Sequence, residues 1–395
     1  MTITQLAPVK EKSISTDLTA LSALRAPLLA VGDERIFAFT DALSAVLLKE
    51  PRFRDYSELV ALGFWLRRAN LSRYLQQLQD AFYKPLGLVV HYTPANVDTM
   101  FIYSWICALI MGNRNIVRVA SQLSNLQQAL IDCVNLLFKQ EQHQSIALAN
   151  NFIQFDKAQS VGESLSLEAD ARVLWGGDDS VSAIRHLPSR PRCRDISFAD
   201  RYSATIIAQS GINEGNRRSV AQRVWRDMKT FDQQACSSPR LLFWCGDEIG
   251  LVRQLETLGN VASDTAFTEF HRNEQLVFSQ WQQAEGNIQQ AIQAGPICAV
   301  IQDPKAPSII QIHPGQQILV CYVINELEEL VALVDNKLQT LSYFGFEKEA
   351  FFKFLKESPI QGIDRIVPVG EALAFSPEWD GYDLLTQLAR RVVFK

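Results

Sequence analysis

The sequence predicts an α/β protein of two domains, built from βαβ units around mainly parallel sheets. Three observations predict it. Short apolar runs bounded by turn residues read as buried strands. Segments with apolar residues at helical spacing lie between them, and this alternation implies parallel strands with helical crossovers. The chain has 395 residues, beyond the size of one ordinary domain, and its 47% hydrophobic residues supply a substantial core.

Residues 16–79 read as helices, with Leu71, Tyr74, Leu75 and Leu78 on one face. Residues 86–90 follow Lys84-Pro85 as the first buried strand. A helix over 97–111 stops at Gly112-Asn113, and residues 116–119 form the next strand. Ser121 or Ser124 caps a helix whose apolar face is Leu126, Leu130, Cys133, Val134 and Leu137. Strands are expected at 152–155, 171–175, 204–208 and 240–244, with helices at 214–229 and 250–258. The last assigned elements are a strand over 316–324 and a helix over 326–336.

A net charge of −5 gives no global attraction to nucleic acid or to an anionic membrane surface. No run of about 18 apolar residues spans a bilayer, so no membrane span is expected. The segment 1–11 lacks a secretory apolar region, which predicts no signal peptide and a cytoplasmic location. Five histidines without ligand spacing and seven cysteines without a CxxC pair give no expected metal site.

Most of the cysteines lie in apolar runs, where a thiol acts as a small hydrophobe. Cys236 differs. It sits in Phe231-Asp232-Gln233-Gln234-Ala235-Cys236-Ser237-Ser238-Pro239, a polar loop between a helix and a strand. Such a loop leaves the thiol accessible and near backbone N–H groups, which favour a thiolate and bind an oxyanion. Cys193, between Arg192 and Arg194, is the second candidate.

Several strings, in order along the chain, resemble the aldehyde dehydrogenase superfamily. Gln234-Ala235-Cys236 is similar to its nucleophile loop. Pro94-Ala95-Asn96-Val97 resembles the turn presenting its oxyanion asparagine. The segment from Met111 to Ser121 resembles its cofactor strand, in which Arg118 and Ser121 would face the adenosine ribose. Trp175-Gly176-Gly177-Asp178 resembles the motif near the cofactor phosphates and nicotinamide. Within the superfamily, the match is closest to the acyl-CoA reductases of bacterial luminescence. That match adds Phe198-Ala199-Asp200-Arg201-Tyr202-Ser203, Gly362-Ile363-Asp364-Arg365 and Trp379-Asp380-Gly381-Tyr382-Asp383.

The resemblance implies an aldehyde-dehydrogenase-like fold, with a Rossmann-like cofactor domain plus an α/β catalytic domain. The boundaries expected are 1–205, completed by 366–395, for a helical N-terminal region and the NADPH domain, and 206–365 for the catalytic domain. It implies Cys236 as nucleophile, Asn96 as oxyanion donor, and Arg118, Ser121, Trp175, Gly176, Gly177 and Asp178 as cofactor contacts. It implies NADPH-dependent reduction of a long-chain acyl-CoA or acyl-protein thioester to the fatty aldehyde. Partners implied are an acyl-protein synthetase and an acyl-transferase, and a homo-oligomer is expected. Ser197 stands where hydrolytic members carry a glutamate that activates water, which favours reduction over hydrolysis. Two other readings stand beside this one: a glutamyl-phosphate-reductase-like enzyme acting on a small acyl phosphate, and a non-redox acyl carrier subunit that has lost its cofactor.

Overall fold

The computed structural model describes residues 3–9, 14–15, 17–155, 159–263 and 267–395. Thr16, where the expected helical stretch begins, lies outside the described residues, as do Met1, Thr2, Lys10 and Glu11 of the N-terminal segment. The chain folds into two compact units, one of residues 1–200 with 375–395 and one of residues 201–374.

The first unit is built on a sheet whose parallel strands run, in spatial order, Asn150–Phe155, Arg114–Arg118, Leu88–Tyr92, Ala171–Trp175 and Arg194–Phe198. In chain order these are the third, second, first, fourth and fifth, the order of doubly wound dinucleotide-binding sheets. The chain reverses its direction of winding between Leu88–Tyr92 and Ala171–Trp175. That leaves a crevice at their carboxyl ends, because the flanking connections depart to opposite sides. Strand Ile3–Ala7 adds antiparallel to the edge at Asn150–Phe155.

Two central helices form where the pattern predicts them. Met100–Ile110 is buried on every face and ends where Gly112 takes φ +81°; a Cβ there would meet the Leu29 carbonyl oxygen at 2.3 Å. Ser124 caps Asn125–Phe138 in a full capping box with Gln127, and the expected apolar face is buried. The N-terminal stretch forms helices Glu34–Lys49, Ser57–Trp65 and Arg68–Gln76, the last ending short of Leu78. The C-terminal segment is tied to this unit by Asn113 Nδ2, which donates to the Leu388 carbonyl at 2.8 Å. Arg194 Nη1 donates to the carbonyls of Gln387 and Ala389, each at 2.9 Å.

The second unit holds a sheet in the order Ile288–Ala294, Ile297–Gln302, Ile318–Ile324, Pro239–Cys245, Tyr202–Ala208, Leu338–Phe344, Arg365–Pro368. All strands but the first are parallel to their neighbours. Alternation along Pro239–Cys245 sends Leu241 and Phe243 into one core and Leu242 and Trp244 into the other. Burying each such side chain contributes about 1.5–3 kcal/mol. The helix expected over 326–336 shrinks to a 3-10 turn at Leu327–Glu329 and one α-turn at Leu330–Leu333, because the chain must re-enter the sheet at Leu338. Helix Glu269–Ala284 and the hairpin Ile288–Gln302 escape the pattern. Phe270, Val277 and Trp281 face outward on that helix, and the first hairpin strand is rich in glutamine.

Candidate active site

Cys236 follows helix Arg217–Lys229 and the 3-10 turn Thr230–Gln233, and precedes strand Pro239–Cys245. It is half-buried, between the buried Ala235 and Ser237. The loop therefore lies at the amino edge of its sheet. Cys236 precedes its strand rather than following it.

The backbone ahead of Cys236 is strained. Phe231, Asp232 and Gln233 take φ of +57°, +48° and +63°, in the left-handed region that side chains with a Cβ rarely occupy. Each such residue costs roughly 1–2 kcal/mol, so the surroundings must impose the conformation. The clamp is visible. Gln233 Nε2 donates to the carbonyls of Pro239 and Ile318, each at 2.7 Å. Gln234 Nε2 donates to the Pro314 carbonyl at 2.7 Å. The Gln316 N–H donates to the Asp232 carbonyl at 3.1 Å, from a second turn in which Gln316 and Gln317 both have φ +56°. Behind the thiol, Ser203 Oγ donates to the Cys236 carbonyl at 2.7 Å. His313 braces the second turn: its Nδ1 accepts from the Gly315 N–H, so its Nε2–H donates to the Ile318 carbonyl. Burial pushes this imidazole down to about 3, so it is neutral.

Burial pushes up the thiols of Cys107, Cys133, Cys193, Cys245, Cys298 and Cys321. Cys193 packs against the hydrophobic core of the first unit, and desolvation outweighs the favourable charge of Arg172.

In the first unit, Asn96, Arg118, Ser121, Trp175, Gly176, Gly177 and Asp178 line one edge. They stand at the carboxyl ends of three adjacent strands, where Tyr92 pairs with Arg118 on one side and Leu174 on the other. Strand spacing puts those ends within about 10 Å. Asn96 is exposed in the bend beyond Leu88–Tyr92, and Ser121 is exposed beyond Arg114–Arg118. Arg118 is half-buried, with its guanidinium 5.6 Å from the centre of the Phe155 ring. Desolvation lowers its pKa, and among the described residues no carboxylate lies within ion-pair reach. Cys236 belongs to the other unit.

Trp175 is committed to packing. Its indole stacks on Phe198 at 3.7 Å, and its Nε1 donates to Ser104 Oγ at 2.9 Å. Gly177 caps helix Asp178–Arg185, whose first amide accepts no visitor easily. The Asp178 N–H donates to Asp200 Oδ2 at 3.1 Å, and the Asp200 N–H donates to Asp178 Oδ1 at 3.0 Å. With Asp178, Asp179 and Asp200 gathered there, this helix end repels a phosphate.

Beneath the edge runs a buried polar chain that the sequence did not reveal. His91 Nδ1 lies 2.8 Å from Ser104 Oγ and its Nε2 lies 3.1 Å from Asn115 Oδ1. Asn115 Nδ2 donates to Asn150 Oδ1, which also accepts from Trp105 Nε1. Since Asn115 presents its oxygen, His91 carries its proton on Nε2, and Nδ1 accepts from Ser104. Burial holds His91 neutral, at about 4. His91 is thus a structural histidine.

Among the described residues no group of three or more His, Cys, Asp or Glu side chains is arranged to hold a metal, and no helix is long and apolar enough to cross a membrane.

Comparison with known proteins agrees with this architecture. The family model described as acyl-CoA reductase (LuxC) matches residues 64–293, more than half of the chain. The long-chain acyl-protein thioester reductase of Aliivibrio fischeri is 22% identical over 333 residues, covering 80% of this chain and 63% of that protein. The enzyme of the same name from Photorhabdus luminescens is 23% identical over 294 residues, covering 72% of this chain and 58% of that protein. The chain thus spans less than two thirds of the length of either relative. Among solved structures, an NAD-dependent aldehyde dehydrogenase from Sinorhizobium meliloti superposes with a TM-score of 0.65 at 13% identity, over 92% of this chain and 82% of that one. Aldehyde dehydrogenase 21 from Physcomitrella patens gives 0.67 at 10% identity, over 95% and 87%. The strand order, the half-buried cysteine on its clamped loop and the family match converge: the chain is a member of the acyl-CoA reductase (LuxC) family on an aldehyde-dehydrogenase-like fold.

Proposed function

We propose that this protein reduces a long-chain fatty acyl thioester to the aldehyde, using NADPH and an acyl-enzyme on Cys236. The observation that carries the reading is the Cys236 loop: a half-buried cysteine on a polar loop, held by a strained and clamped turn. The names of the relatives, long-chain acyl-protein thioester reductases, support an acyl-protein donor; acyl-CoA is the small-molecule form of the same chemistry. In this reading an acyl-protein synthetase and an acyl-transferase supply the donor. A domain of residues 1–205 with 366–395 binds the cofactor, and 206–365 carries the nucleophile.

The Cys236 thiolate attacks the acyl carbonyl carbon. The C–S bond to Cys236 forms, the donor's C–S bond breaks, and the donor thiolate leaves and takes a proton. The Cys236 N–H serves the developing oxyanion, and the Asn96 amide is assigned the second donor role. One such donor is worth about 3–4 kcal/mol of barrier. NADPH, when bound, supplies hydride to the thioester carbon. Collapse of the thiohemiacetal breaks the Cys236 C–S bond, returns the thiolate and frees the aldehyde. Ser197 is a weak base, so water attack on the thioester is slow.

The residues fit the adenosine end of the cofactor. Arg118 is a half-buried cation lacking an anion among the described residues, and a ribose 2′-phosphate supplies one. Ser121 offers a hydroxyl beside it. The Gly177 helix end does not fit a diphosphate, so Trp175, Gly176 and Asp178 are proposed to lie on the nicotinamide side.

The test is NADPH consumption with tetradecanoyl-CoA in the wild type and in Cys236→Ala. Activity lost in the variant supports the reading. Activity retained there removes Cys236 from the chemistry. A preference for acetyl phosphate or another small acyl phosphate over the long-chain thioester overturns the substrate class.

A further inference from the structure

We propose that Gln233 is a positioning residue for the acylation of Cys236; the inference rests on the reading of Cys236 as the nucleophile. Gln233 is fully buried, three residues before Cys236, and carries two features that work against stability. Its φ is +63°, and among the described residues its Oε1 has no hydrogen-bond partner. A glycine at this position would remove both. What glutamine supplies is geometric.

Its single amide nitrogen reaches two carbonyls, at the first residue of strand Pro239–Cys245 and at the first residue of strand Ile318–Ile324. These strands are hydrogen-bonded neighbours. Gln233 therefore ties the base of the Cys236 loop to the two strand starts beneath it. The same turn is held from the other side by the Gln316 N–H on the Asp232 carbonyl. Ser203 fixes the Cys236 carbonyl, and the Ser238 N–H donates to the Ala235 carbonyl at 3.0 Å, so the peptide planes on either side of Cys236 are each held by one bond above the turn that Gln233 ties down. An attack on a carbonyl needs that rigidity, because sulfur and N–H must meet one carbon–oxygen bond together; simple alkylation of the thiol needs only access. A misplacement of about 1 Å costs on the order of 100-fold in such a reaction.

Gln233→Ala keeps the φ strain and loses the two bonds; Gln233→Gly loses the bonds and the strain together. For each, three quantities are measured: melting temperature, the rate of Cys236 acylation by tetradecanoyl-CoA, and the rate of Cys236 alkylation by iodoacetamide read by peptide mass spectrometry. The expected result is acylation slowed about 10- to 100-fold in both variants, alkylation within about three-fold of wild type, and a higher melting temperature for glycine than for alanine. Acylation that recovers with the melting temperature in Gln233→Gly assigns Gln233 a purely structural role and overturns the proposal. So does wild-type acylation in a folded variant. Cys236→Ala separates the two levels. If it remains active, the reading of Cys236 fails; if it is dead while Gln233→Gly acylates normally, only the role of Gln233 fails.

Discussion

Ser203 Oγ donates a 2.7 Å hydrogen bond to the carbonyl oxygen of Cys236, across 33 residues of sequence. Ser203 is fully buried at the start of the strand beside Pro239–Cys245, so the bond anchors the loop to the sheet itself. Ser203→Ala removes that bond. The expected cost is about 1–3 kcal/mol of stability, read by chemical denaturation, together with slower acylation of Cys236.

Cys193 and Cys236 are separable by chemistry. Burial pushes the Cys193 thiol up, and its side chain lies against apolar neighbours. Limited iodoacetamide treatment followed by peptide mapping is expected to label Cys236 before Cys193. Cys193→Ala should keep reductase activity within about two-fold, a substitution effect typical of a residue that only fills space.

The proposed role of Arg118 is tested by comparing the two cofactors. Replacing Arg118 with methionine keeps an apolar side chain of similar length and removes the guanidinium that lies 5.6 Å from the centre of the Phe155 ring. NADPH binding, followed by its fluorescence, should weaken by about 10-fold or more, as expected for loss of a charge-assisted phosphate contact. NADH binding should hardly move. Equal loss for both cofactors would place Arg118 away from the 2′-phosphate.

The buried chain through His91 predicts its own weakness. Ser104→Ala removes the acceptor of the Trp175 N–H and the donor to His91 Nδ1 in one step. Two buried polar groups then lack partners, at about 1–3 kcal/mol each. Denaturant titration should show a loss near the sum, without direct contact between Ser104 and any ligand.

Opposed titrations shape the acid response. His91 and His313 are held neutral, at about 4 and about 3, so the unfolded chain takes up protons first as pH falls below 6.5 and stability drops. Asp227 runs the other way. Burial raises its carboxyl to about 7, although the N–H groups of Gly370 and Ala372 both donate to it. Between pH 7 and 4 the folded chain binds that proton and the unfolded chain does not, so acidification strengthens the fold. Asp227→Asn removes the opposing contribution. Its stability should fall more steeply from pH 6.5 to pH 4, by up to about 1.4 kcal/mol per pH unit. A curve parallel to wild type would show that Asp227 stays ionised in this range.

By itself the sequence determined the class of fold and most of the elements that carry the site. Periodicity is a local property, and buried strands such as Ala171–Trp175 and helices such as Asn125–Phe138 announce it. Cys236 stands out in the sequence because its polar neighbours contrast with the apolar settings of most other cysteines. Helix Glu269–Ala284 was not, because its apolar residues are divided between core and surface. The tertiary structure decided what lies far apart in the chain. It set Gln233 against Ile318 and Ser203 against Cys236, and it committed Trp175 to Phe198 and His91 to Ser104. It also closed the Gly177 helix end with Asp200. Each of these depends on which strands become neighbours, and a hydrogen bond of about 3 Å carries no trace in the spacing of the residues that make it.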